Sequence, residues 1–157
     1  MRLGGDPART RIADLAPYID ARQQTLRSTT GQLTWNYDAG LCRMDAPCAQ
    51  GVVGFLRQAG GRFDLSTVSI ESDNDYAAVS VVSLDGRPLA DSGRILVQVG
   101  TTARLTGWRT EPADVPFQNL TIPGERIVNT GTPPWKIGAT QATLTIANSR
   151  LTRATLL

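Results

Sequence analysis

The segment spanning residues 76–100, YAAVSVVSLDGRPLADSGRILVQVG, constrains the fold more than any other part of the chain. Ala77, Val79 and Val81 alternate with Ala78, Ser80 and Val82. Beyond Asp85-Gly86-Arg87-Pro88, Ile95, Val97 and Val99 alternate with Arg94, Leu96 and Gln98. Successive strand side chains point to opposite faces, so a period of two predicts paired strands with one wetter face. Asp-Gly-Arg-Pro supplies the turn, because Gly accepts positive φ without steric penalty and Pro presets its own φ. This is an antiparallel scaffold, and none of its residues makes a catalytic constellation.

At 157 residues the chain is long enough for one domain with a core that needs neither metal nor disulfide. It contains no histidine. That removes imidazole acid–base chemistry, Ser-His-Asp and Cys-His nucleophiles, and most zinc and copper sites. Carboxylate chemistry, hard cations and binding without chemistry remain, and no enzymatic activity is expected. Sixteen Lys and Arg face fourteen Asp and Glu, a net charge of +2 with no basic cluster. Nucleic acid is therefore not an expected partner. No run approaches the ~20 apolar residues of a membrane span, and Met1-Arg2-Leu3-Gly4-Gly5 lacks the apolar core of a signal peptide.

Residues 1–24 read as an irregular lead-in with at most a short helix, since Pro17 interrupts the helical spacing of Ile12, Leu15, Tyr18 and Ile19. Strands are expected from Thr25 onward. Leu33, Trp35 and Tyr37 alternate with Gln32, Thr34 and Asn36, which predicts a core-facing apolar side that includes Trp35. Further strands are expected over 41–45, 50–56, 62–65, 67–71, 102–106 and 141–147, with Ala142, Leu144 and Ile146 facing in, and a last one over 151–157. Residues 107–131 carry Pro112, Pro116 and Pro123, lack periodicity, and read as a long loop with a short strand over 118–122. The sum is one all-β domain, a β-sandwich of antiparallel strands of Greek-key or jelly-roll type with little or no helix.

Cys42 and Cys48 flank Arg43-Met44-Asp45-Ala46-Pro47. A tight hairpin would bring them within bridging range, and two half-buried thiols are the other reading. A bridge would mark an exported protein. Glu71, Asp73, Asn74 and Asp75 crowd one turn and supply the oxygen ligands calcium takes, but their spacing matches no EF-hand and a polar β-turn is the reading preferred. No metal or other cofactor is otherwise expected.

The segments ESDNDYAAVSVVSLDGRPLADSGRILVQVGTTARLTGW and IVNTGTPPWKIGATQATLTI, with TTGQLTWNYDAGLCRMDAPCAQGVVGFL upstream, resemble the β-sandwich domain that follows the catalytic barrel in some bacterial glycoside hydrolases. The likeness rests on the small-Leu-Asp-Gly-x-Pro-Leu hairpin and the Gly-x-Pro-Pro-Trp segment, and covers residues 29–157. It implies a secreted, non-catalytic accessory module of a polysaccharide-degrading enzyme, because the family carries its catalytic carboxylates on the barrel. Sugars have apolar C–H faces and polar rims, so such a module wants exposed aromatic rings with hydrogen-bonding groups beside them. Trp108 and Trp135 are the expected platforms, each with loop anchoring as the alternative. Arg109, Gln118 and Asn119 are the expected hydroxyl-binding groups. The expected partners are a polysaccharide or oligosaccharide and a linked catalytic domain. A structural sandwich packed on that domain through an apolar patch, without sugar binding, is the competing expectation.

Overall fold

The structure is a computed structural model and describes residues 15–156. Its strands are β1 (Ile19–Asp20), β2 (Thr25–Arg27), β3 (Leu33–Asn36), β4 (Leu41–Ala46), β5 (Ala49–Gly54), β6 (Arg62–Asp64), β7 (Val68–Ser72), β8 (Ala77–Ser83), β9 (Ile95–Thr101), β10 (Ala103–Thr106), β11 (Arg109–Phe117), β12 (Leu120–Asn129), β13 (Thr132–Ile137) and β14 (Ala142–Ile146). Helical structure among the described residues is limited to one 3-10 turn, Ala16–Tyr18, beside Pro17. Strand structure thus begins at Ile19, ahead of the expected start at Thr25; the first fourteen residues of the lead-in lie outside the described residues.

The protein is all-β. Seven strands form one antiparallel sheet in the order β1-β2-β3-β4-β5-β8-β9, and three form a second in the order β14-β7-β6. The first five strands meander; the chain then crosses to the small sheet for β6 and β7, returns for β8 and β9, and comes back as β14 beside β7. The two sheets enclose Leu41, Val52, Leu56, Phe63, Val68, Ile70, Ala77, Val79, Val81 and Leu89, with Ile95, Val99, Leu144 and Ile146 at the margin. Ala142, Leu144 and Ile146 take the inward positions of β14, as their alternation predicts. Burying ten apolar side chains at about 1.5–3 kcal/mol each supplies the main favourable contribution to the fold.

Polar contacts tie the sheets together where the small one ends. Gln50 on β5 is 1% exposed, and its Oε1 accepts from the N–H groups of Thr67 (3.0 Å) and Val68 (2.9 Å). On β4, Arg43 donates to the carbonyl of Asp64, and Asp45 accepts from the N–H and hydroxyl of Ser66.

The β8–β9 connection is longer than the tight turn the sequence suggests. It is an Asp85-centred loop pinned by Leu89, which is fully buried. The Asp85 carboxylate accepts from the N–H of Gly93 (2.9 Å) and the hydroxyls of Ser92 (2.8 Å) and Ser83 (2.9 Å), with the Arg87 N–H at 3.3 Å. The Gly93 N–H and then the Ser92 hydroxyl hold this carboxyl well below the usual carboxylate range. Asp64 is held low as well, by the Ser69 hydroxyl and Arg62. A group whose folded-state pKa is depressed contributes stability above its unfolded value, about 3.9 for Asp, and loses it as the pH falls from there through the folded value. The urea midpoint is therefore expected to hold level from pH 7 to 5 and fall below about pH 4. Asp85→Asn should flatten that fall, and an equal pH dependence in the variant would assign the effect elsewhere.

Residues 107–131 are not a loop. β11 and β12 form a nine-pair antiparallel ribbon from Arg109↔Asn129 to Phe117↔Leu120, turning at Gln118-Asn119, where Gln118 has φ +55°. The ribbon continues from β10–β13 through Gly107 and Gly131, both at positive φ. Together they make an arm outside the two main sheets. Its alternation is invisible because both faces are wet. The prolines obey a different rule. Pairs in an antiparallel ribbon alternate between hydrogen-bonded and non-bonded. Counted from the closing pair, Pro112, Pro116 and Pro123 all fall on non-bonded positions, where no N–H is needed.

One further expectation fails, and of the two readings of the cysteines the structure takes the second, two half-buried thiols. Residues 151–156 form no strand. Cys42 lies near the start of β4 and Cys48 in the turn at its far end, so about 13 Å of strand separates them at ~3.3 Å per residue. Both are free thiols, because a bridge needs Cα atoms within about 7 Å.

Candidate functional site

Trp135 lies on β13 opposite Leu105 of β10, two residues before Ile137 and 63% exposed. Trp108 follows Gly107 at the root of the arm and is half-buried. Its backbone N–H donates to the Leu105 carbonyl (3.0 Å), and the Arg104 guanidinium sits 5.1 Å from the centre of its ring, a cation–π contact. Arg104 pairs with Lys136 and Leu105 with Trp135, so Arg104 leaves the ribbon on the face opposite Trp135. The two indoles therefore do not make one continuous platform.

The proposed hydroxyl-binding groups are also dispersed. Arg109 opens β11, exposed, with Nη2 4.0 Å from Glu111, which also meets Arg126 at 3.7 Å. Gln118 and Asn119 form the tip of the arm, beyond the eight residue steps, about 26 Å, that separate Arg109 from Phe117. A monosaccharide at Trp135 cannot reach them.

Several of the remaining acids are engaged. Arg62 pairs with both Asp64 and Glu71. Asp75 pairs with Arg57 at 3.1 Å, and the Asp73 carbonyl accepts from the same guanidinium. Asn74 turns its side chain to the Gln141 N–H and the Ala139 carbonyl. The crowded 71–75 turn thus docks β14 onto β7, and among the described residues no group of three or more His, Cys, Asp or Glu side chains converges as a metal site. An open polar depression of about 600 Å³ beside it, lined by Arg62, Glu71, Asp73, Gln141 and Thr143, holds no aromatic ring.

Sequence reasoning missed the outer face of the seven-stranded sheet. Trp35 is not in the core: it is 49% exposed, with Tyr37 edge-on at 6.1 Å. The register explains this. Trp35 pairs with Cys42, Cys42 with Val53 and Val53 with Ala78, so Trp35 shares the parity of exposed Val53 and not of buried Val52. One row across the face runs Ile19, Leu26, Trp35, Cys42, Val53, Ala78, Gly100. The next runs Leu33, Met44, Gly51, Ser80, Gln98. Neither row contains a charged side chain. On the small sheet the outward positions are Arg62, Asp64, Ser69, Glu71, Thr143 and Thr145, the ordinary polar exterior. The sequence carried a signal: AQGVVG and AAVSVV place no charged residue at either parity, unlike a strand with one ordinary wet face.

Comparison with protein-family models, with curated protein sequences and with solved structures finds no match to this chain.

Proposed function

We propose that the chain is a non-catalytic carbohydrate-binding module of a polysaccharide-degrading enzyme, with its contact surface on the arm. One observation carries the reading: the Trp135 indole stands 63% exposed on a paired strand. A planar ring fixed on a strand gives a sugar face contact area at little entropic cost. Lys136, next in sequence, and Arg104, its cross-strand partner, leave the ribbon on the opposite face and supply hydroxyl donors there. Trp108, under Arg104, and Arg109 belong to a second contact on the other face, so a glycan chain meets them separately. Gln118 and Asn119, at the tip, take part only if the glycan runs the length of the arm. Such a module raises the local substrate concentration of a linked catalytic domain.

The test is affinity electrophoresis on xylan, mannan, β-glucan and a soluble cellulose derivative. At least one should retard the protein. Trp135→Ala should weaken that binding about 10- to 100-fold, the equivalent of roughly 1.4–2.7 kcal/mol, while Trp108→Ala has a smaller effect. Unretarded migration on every glycan, or retardation untouched by Trp135→Ala, rejects this site.

A second reading has its own support. The uncharged outer face of the seven-stranded sheet suits a structural sandwich that packs on a catalytic domain and binds no sugar. It predicts a flat response across the glycan panel.

A further inference from the structure

The outer face of the seven-stranded sheet is too large and too uncharged to be an ordinary wet surface. Seven strands at ~4.8 Å spacing span about 29 Å. With strands of up to seven residues the face covers roughly 600 Å² in plan, which its corrugation brings near the ~800 Å² per partner of a standard interface. Small polar ligands have little to grip there, since Ser80 and Gln98 are the polar side chains in the two central rows.

The size gradient across the face identifies the occupant. Bulky side chains gather on β2–β4: Leu26, Leu33, Trp35 and Met44. In these two rows small ones gather on β5, β8 and β9, namely Gly51, Ala78, Ser80 and Gly100, with Val53 and Gln98 larger; the next row, Ala46, Ala49, Val82 and Leu96, runs the other way. Gly51 has no room for a larger side chain, because a Cβ there would strike the Val79 carbonyl. Consider a two-fold axis lying in the interface, parallel to the strands, between β4 and β5. It reverses strand order and leaves each row facing itself. Trp35 of one copy then lies over Ala78 of the other, Leu26 over Gly100, Leu33 over Ser80, Met44 over Gly51 and Cys42 over Val53. In four of these five oppositions a bulky residue meets a small one, and the fifth joins two of middling size. An uncharged face also meets its own copy without like-charge repulsion.

We propose that this face is the interface of an isologous homodimer in which the sheets of two copies stack, the bulky half of each entering the small half of the other. Stacked twisted sheets ordinarily align within about 30° and interdigitate over about 10 Å, the arrangement this requires. The dimer is independent of the proposed sugar site.

Sedimentation equilibrium on the wild-type chain tests the proposal, with an expected mass of twice 16.9 kDa. Trp35→Asp and Ala78→Arg each change an exposed residue outside the core, so circular dichroism should stay native and each monomer should still melt cooperatively, at a lower temperature than the dimer. Each variant alone should weaken dimerisation about 100-fold or more, the first by desolvating a charge and the second by setting Arg against Trp35. Mixed one to one, they should dimerise again, because the new carboxylate of one then faces the new guanidinium of the other while the second Trp35–Ala78 contact remains intact. A wild-type chain that stays monomeric at ~100 µM overturns the proposal and leaves the face to a different domain. A dimer that survives both variants, or a mixture that stays monomeric, overturns it equally. Glycan retardation is read on the same samples and is expected whatever the mass, so failure of the sugar site and failure of the dimer are distinguishable.

Discussion

Gly54→Ala should destabilise the fold severely. Gly54 ends β5 at φ +140°, a region open essentially to glycine alone. A Cβ there would overlap the Gly40 carbonyl and press on Leu41 Cα at 2.9 Å. Both obstacles are backbone, so no rotamer change relieves them. Leu41 is itself a core residue, and the β4–β5 pairing would have to open next to it. Strain and overlap together should cost at least ~4 kcal/mol, a large share of the 5–15 kcal/mol that holds a typical domain together. Gly86→Ala is the matched control. Gly86 also has positive φ, +73°, but nothing lies within 4 Å of its added carbon, so only about 1 kcal/mol should be lost. Chemical denaturation of the two variants checks this, and comparable losses in both would show that φ alone, and not the close approach, sets the sensitivity of β5.

Gln50→Leu should be strongly destabilising although it makes the core more apolar. The substitution nearly conserves volume and adds apolar character, so a purely hydrophobic view predicts little harm or some gain. The hydrogen-bond view predicts the reverse. Gln50 Oε1 is the acceptor for two consecutive N–H groups, those of Thr67 and Val68, where the chain enters β7. Val68 is fully buried, and leucine offers no acceptor. Stranding two donors at ~1–3 kcal/mol each should remove about 3 kcal/mol in total. For a chain of this length that is roughly a 6–12 °C drop in melting temperature. A loss under ~1 kcal/mol would mean that water or a shifted strand takes over as acceptor.

How far the sequence foretold these features varies by element. The strands around 77–83 and 95–101 were legible because they bury one face against a small sheet, which writes a period of two into the residues. The turn at 72–75 was legible as polar but not as the joint that seats β14, because Asn74 reaches a backbone 65 residues away. The arm was illegible for a physical reason: a ribbon outside both sheets has no buried side, so nothing selects alternating polarity. Its prolines looked like breakers when only their number was counted, and read as strand residues once pairing parity was known. Trp35 shows the other limit. Its strand and apolar face were correctly read, yet local periodicity cannot say which side of a sheet the core occupies. That follows only from register across β3, β4 and β5. Of the expected sugar contacts, Trp108, Trp135 and Arg109 gather at the root of the arm, while Gln118 and Asn119 lie a full ribbon length away, a separation that proximity in sequence conceals.

The placement of Pro112, Pro116 and Pro123 also bears on how this chain behaves when crowded. A lone hairpin is usually an invitation to fibrillar growth, because its margins offer a ladder of unused donors to any passing extended peptide. Here three of the outward donors have been deleted, two along one margin and one along the other, without weakening the internal ladder. The arm can therefore stay in water as a two-stranded finger, available for contact through its faces and closed to recruitment along its sides.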